Sequence, residues 1–124
     1  MLASNAAEGE RARRIPDEVM ERLHDSGVLW AVVPESLGGH GLGLTTLLEG
    51  VRELGRGCPA TAWTASFLMM HAWMCTKFPA ESHATLFADG RLPTAAAPLT
   101  PSGELTPAPG GYVVSGRWEW ATGI

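Results

Sequence analysis

The hydrophobic period of this chain changes near Gly90, and that change limits what it can become. Upstream, apolar residues recur at helical spacing between breakers. Downstream, from Pro93 to Ile124, short runs stand between turn formers and read as strands. We therefore expect a mostly α chain: a helical domain over 1–90, followed by the first strands of an incomplete β domain over 91–124. A length of 124 residues with 45% apolar content suffices for one packed core.

Four or five helices fill the first part. Residues 3–14 are rich in Ala, Glu and Arg, and Ile15-Pro16 breaks the run. Pro16 opens a second helix, with Val19, Met20 and Leu23 on one face and Gly27 at its end. The run Val28–Val33 predicts a buried extended connection. Four glycines between Gly38 and Gly43 predict a loop. It lacks the G-x-G-x-x-G or Lys-Ser/Thr pattern of a phosphate cradle. Thr45 or Thr46 can cap a third helix, with Leu47, Leu48, Val51 and Leu54 as its stripe.

The next helix, from about Ala60 to Lys77, carries no formal charge from Pro59 to Thr76. Its Thr, Ser and His residues and its many small side chains favour burial in a bundle over a bilayer span. A last helix runs from Pro79 to about Gly90. Beyond it, Thr94–Leu99 predicts a first strand and Thr100–Gly111 a long turn. Tyr112–Ser115 and Arg117–Thr122 predict further strands, with Gly116 as a bulge.

Charge and composition exclude several functions. A net charge of −4 argues against nucleic-acid binding, and the cluster Arg11, Arg13 and Arg14 is diluted by Glu8 and Glu10. The first residues lack the apolar core of a secretion signal. Cys58 and Cys75 have no metal or redox spacing, which suggests reduced cysteines in a cytoplasmic protein. The four histidines have no ligand spacing, so no metal site is expected.

The candidate chemistry lies in two places. His71 sits mid-helix among Met69, Met70, Trp73 and Met74, where a buried imidazole needs a partner. It is either a core histidine bonded to a backbone carbonyl or a group facing a substrate. Trp63, Phe67 and Met70 fall near its face by helical spacing and can line an apolar pocket, or simply the core. Trp120 and Thr122 share one face if they lie on a strand, and can pack on the helices or wall a ligand.

Taken in order, P-E-x-x-G-G-x-G from Pro34, C-P-x-T-A-W from Cys58, and G-G-Y-x-x-S-G-x-W-x-W-A-T-G from Gly110 resemble the acyl-CoA dehydrogenase superfamily. The chain is most similar to its two-component flavin-dependent monooxygenase branch. The dehydrogenases' T-E-P-x-A-G-S-D is missing from Pro98–Gly103, which favours that branch. The resemblance implies reduced FAD or FMN, supplied by a separate flavin reductase and used with O2 to hydroxylate a small, possibly aromatic, substrate.

It further implies that Trp120, Thr122 and Leu99 contact the flavin, with the Thr122 hydroxyl reaching N5 or O4. His71 faces the substrate beside Trp63, Phe67 and Met70. Thr122 and His71 are thus the implied catalytic residues. The family's further strands and C-terminal bundle are expected to complete the site, in a homo-oligomer, a tetramer at full length. The chain alone is expected to be inactive. Two other readings stay open: part of a true acyl-CoA dehydrogenase, or a truncated non-catalytic helical module.

Overall fold

The structure, a computed structural model, describes residues 1–100 and 102–123. Five helices come first: α1 (Leu2–Ala12), α2 (Asp17–Asp25), α3 (Leu44–Gly57), α4 (Pro59–Cys75) and α5 (Ala80–Leu86). Strands β1 (Gly103–Ala108) and β2 (Gly111–Gly116) follow.

Helix α1 ends before the Ile15-Pro16 breaker. Arg13 adopts the left-handed conformation at φ 55°, and the Arg14 N–H bonds back to the Gly9 carbonyl at 3.2 Å. This is a Schellman closure with arginine where glycine is usual. In α2, Asp17 and Glu18 stand at the positive end and Arg22 and His24 in the last turn, each complementing the helix dipole. Gly27 follows in the left-handed conformation, as expected.

Between α2 and α3 the expected extended run is wound instead. Val28–Trp30 forms a 3₁₀ turn, and Ala31–Val33 continue as turn with all three residues buried. The glycine loop then folds back along this segment. His40 donates to the Trp30 carbonyl at 3.2 Å, Gly41 to Val33 at 2.8 Å and Leu42 to Ala31 at 2.8 Å. These bonds satisfy the carbonyls of an apolar run without a sheet, which is why VLWAVV can be buried while wound.

Helix α3 starts one residue before the proposed caps. Gly43 holds the N-cap position, and neither Thr45 nor Thr46 caps it. Leu47 is buried, and Val51 and Leu54 pack on the core. Leu48, at 59% exposure, does not join the stripe. Cys58 serves as both the C-cap of α3 and the N-cap of α4, so the two helices meet at one residue and pack on each other.

The core is built where α4 meets α2, α3 and the Val28–Val33 segment. Leu29, Met69, Val19 and Val33 are its largest fully buried side chains. Each contributes roughly 1.5–3 kcal/mol by leaving water. Ala65 and Ala72, both at 0% exposure, bring the α4 backbone close to its neighbours. The opposite face of α4 carries Trp63, Trp73 and Met74, all exposed. No helix among the described residues is long and apolar enough to cross a membrane.

After α5 and a 3₁₀ turn at Ala88–Gly90, the chain departs from its expected strands. Residues 91–100 have no regular structure, so Thr94–Leu99 is not a strand. Much of the expected turn is instead β1, which pairs antiparallel with β2 from Gly103↔Gly116 to Ala108↔Gly111. Pro101, within the Pro98–Gly103 stretch, lies outside the described residues. Pro109-Gly110 makes the two-residue turn, with Gly110 at φ 81° supplying the conformation that only glycine takes freely.

Residues 117–121 run on without strand structure, and Arg117–Thr122 is therefore not a strand either. Gly116 ends β2 and pairs with Gly103, so it is no bulge. A Cβ on Gly103 would strike the Trp118 ring, and one on Gly116 would meet it at 3.1 Å. The indole thus lies across the two paired glycines.

Candidate functional site

Helix α4 supplies most of the site. Trp63, Phe67 and His71 recur every four residues and stack along one face. The Trp63 and Phe67 rings are 5.0 Å apart between centroids. The edge-on pair of Phe67 and His71 is 5.7 Å apart. Three of the four proposed pocket residues therefore form one continuous row. Met70, the fourth, packs partly buried against the core cluster.

His71 is 4% exposed and its Nδ1 lies 2.6 Å from the Ala95 carbonyl. A carbonyl only accepts, so Nδ1 carries the proton and donates. The core-histidine expectation is met at this nitrogen. The partner, however, lies 24 residues away on the irregular segment, not on a neighbouring helix. The bond ties that segment to α4 and leaves Nε2 unengaged among the described hydrogen bonds.

A cleft of about 430 Å³ opens where these two elements meet. It is lined by His71, Met74, Cys75, Phe78, Ala95 and Ala97, with Lys77 as its only charged residue. Lys77 places its ammonium 4.4 Å from the Trp73 ring centroid, a cation–π contact at the cleft edge. Burial pushes the Cys75 thiol above its ordinary range, so it lines the cleft as a neutral apolar group.

Sequence reasoning reached His71 but missed Cys75, Phe78 and Ala95. Cys75 and Phe78 lie one and two turns beyond His71, a helical signal that could have found them. Ala95 carried none, because it contributes through its backbone.

The second proposed wall is less closed. Trp120 is 94% exposed and Leu99 is 78% exposed, and neither touches the His71 cleft. Trp120 has φ 61°, so strand alternation does not place it and Thr122 on one face. This corrects the geometry expected of the pair. Thr122 is half-buried, and the adjacent Gly123, at φ 89°, lies against Leu68 and Thr64 of α4. The C-terminal return thus meets the helix that carries His71, within two turns of it.

A separate groove of about 550 Å³ lies between α1 and the start of α4, lined in part by Arg13, Ile15, Cys58 and Thr61. The Thr61 hydroxyl, then the Thr61 and Ala60 amides, lower the Cys58 thiol against the opposing effect of burial. Cys58 and Cys75 are both free. Among the described residues, no group of three or more His, Cys, Asp or Glu side chains could hold a metal.

Residues 1–85 match the family described as acyl-CoA dehydrogenase, N-terminal domain, and the chain belongs to that family. The relatives it matches include hydroxylases and flavin-dependent monooxygenases. A pigment production hydroxylase of Rhodococcus sp. is 33% identical over 122 residues, 98% of this chain and 32% of the relative. The oxygenase component of an FADH(2)-dependent resorcinol hydroxylase from Rhizobium sp. is 32% identical over 123 residues, 99% of this chain and 30% of the relative.

Among solved structures, the 3-HSA hydroxylase of Rhodococcus sp. RHA1 superposes with a TM-score of 0.92 at 29% identity. The match covers 98% of this chain and 32% of that one. The chain therefore spans about a third of the length of these relatives.

Proposed function

We propose that this chain is the N-terminal part of the oxygenase component of a two-component flavin-dependent monooxygenase that hydroxylates a small aromatic substrate. One observation carries the reading: an aromatic row on α4 ends at a buried histidine with one free nitrogen, at the edge of an apolar cleft. Such a cleft suits an aromatic ring, and the imidazole suits its polar substituent. The names of the relatives, resorcinol hydroxylase among them, agree with this reading.

Residues 1–90 act as the helical domain and residues 91–124 as the opening of a β domain. Trp120 and Leu99 offer exposed apolar surface to a flavin ring, and Thr122 offers a hydroxyl at a half-buried position. This set fits an isoalloxazine, which is planar, apolar on its faces and edged with acceptors. When bound, the reduced flavin supplies the oxygen activation. The chain's own residues hold the substrate ring, exclude water from it and orient its polar group against His71. A separate reductase supplies the flavin as FADH2 or reduced FMN. The whole protein works as a cytoplasmic homo-oligomer, a tetramer.

The test is anaerobic titration of the chain with reduced FAD and reduced FMN, followed by tryptophan emission, in wild type and in Trp120→Ala. Saturable quenching that weakens in the variant supports the flavin assignment; no response to either flavin sinks it. On the longer protein, reductase-dependent hydroxylation of a phenol is expected. Oxidation of an acyl-CoA with no reductase present would overturn the reading.

A further inference from the structure

We infer that the groove between α1 and the start of α4 binds a monocarboxylate with an apolar body, held by the Thr61 hydroxyl, the Ala60 and Thr61 amides and the Arg13 guanidinium. The site goes beyond the flavin reading and does not rest on it. Thr61 precedes His71 on α4 by ten residues, about 15 Å along the helix axis.

Thr61 is the exception among the hydroxyls of α4. Thr64 and Ser66 are less buried, and each donates back to a helix carbonyl, to Ala60 at 3.2 Å and to Trp63 at 2.7 Å. Thr61 is 6% exposed, lines the groove and makes none of the described hydrogen bonds. A buried hydroxyl without a strong acceptor is costly, and an anion in the groove supplies one.

The donors beside it are also in surplus. The first backbone bond of α4 runs from the Ala62 N–H to the Cys58 carbonyl at 3.0 Å, so the Ala60 and Thr61 amides have no helical acceptor. The neutral Cys58 thiol next to them accepts only weakly. They stand at the positive end of a 17-residue helix, where negative charge is favoured.

Charge and lining narrow the ligand. Of the two arginines in the groove, Arg14 is paired with Asp17 at 2.8 Å, whereas Arg13 makes no ion pair among the described residues. Glycine at position 13 would close α1 equally well, but it would leave the groove without this cation. Glu10 is the one acid in the lining, so a single negative charge is accepted while a dianion such as phosphate is opposed. Leu2, Ala6, Ile15 and Val19 supply apolar surface, and the volume of about 550 Å³ admits a ring-sized aliphatic body. Such a ligand bridges α4 to α1, a helix that buries no residue of its own.

The test is protection of Cys58, which lines the same groove, from iodoacetamide by cyclohexanecarboxylate. Cys75, in the other cleft, is the internal reference. The expected result is saturable slowing at Cys58 alone, with slower amide exchange in α1. Thr61→Val and Arg13→Gly should each weaken the protection about tenfold, and Glu10→Gln should strengthen it. Arg13→Gly keeps the backbone closure of α1, so its weaker binding does not report a loss of fold. No protection of Cys58, equal protection by the neutral cyclohexylmethanol, or unchanged affinity in both weakening variants overturns the inference. Tighter binding of inorganic phosphate than of cyclohexanecarboxylate overturns the choice of ligand class.

Discussion

Gly39 lies so close to Val33 that a Cβ on the glycine would run into the Val33 carbonyl and its Cβ. The contact explains the second glycine of the Pro34–Gly39 motif without reference to any ligand. The loop must return along the wound Ala31–Val33 segment to satisfy its carbonyls, and only a residue with no side chain can pass there. We expect Gly39→Ala to destabilise the chain by about 1–3 kcal/mol, since the obstacle is backbone and cannot swing aside. Gly43→Ala, with nothing within 4 Å, is expected to cost less than about 1 kcal/mol. Urea unfolding of the two variants makes the comparison. Equal costs would mean that the crowding at Gly39 is relieved at no expense.

At the end of α1, the left-handed Arg13 makes the opposite prediction. A side-chain-bearing residue in that conformation is strained, and the Schellman bonds need only the backbone. Arg13→Gly is expected to raise stability by about 0.5–1 kcal/mol, seen as a higher unfolding midpoint. An unchanged or lower midpoint would show that the arginine side chain contributes more than its backbone costs.

These two positions also show what the sequence could and could not reveal. Helix α4 was legible because an uncharged run bounded by Cys58-Pro59 and Phe78-Pro79 leaves few alternatives. His71 and its aromatic neighbours followed from a spacing of four along that helix. The β segment was misread because Pro107 and three glycines look like turn. In a two-stranded hairpin every strand is an edge, where proline is tolerated. The Trp120–Thr122 geometry departs from expectation for a different reason: the strand ends at Gly116, so alternation does not carry on to these residues. Ala95 could not be found at all, because a carbonyl partner is chosen by the fold and leaves no mark in residue type.

Trp118 is expected to matter locally and little elsewhere. It is 44% exposed yet covers Gly103 and Gly116, the pair that closes the open end of the hairpin. Isolated two-stranded hairpins are marginal, so the loss of one indole weighs heavily on this one. Trp118→Ala should accelerate amide exchange in β1 and β2 at least tenfold while leaving α3 and α4 unchanged. Faster exchange in α4 as well would mean that the hairpin and the helices share one cooperative unit.

The last prediction concerns the two cysteines, whose thiols are shifted in opposite directions. Donor dipoles from Thr61 and Ala60 favour the Cys58 thiolate, so its folded pKa lies below the unfolded one. Its contribution is present in full above the unfolded value and is lost as pH falls through the folded value. Burial disfavours the Cys75 thiolate, so its contribution is present in full below the unfolded value and lost as pH climbs through the folded one. In a Cys75→Ala background, unfolding free energy should therefore rise across the mildly alkaline range, and Cys58→Ser should abolish that rise. In a Cys58→Ser background with Cys75 intact, stability should fall over the range beyond it. Iodoacetamide labelling read by mass spectrometry gives a second view: Cys58 should begin to react at lower pH than Cys75. If the two thiols label with the same pH midpoint, the dipoles at the start of α4 do not outweigh burial.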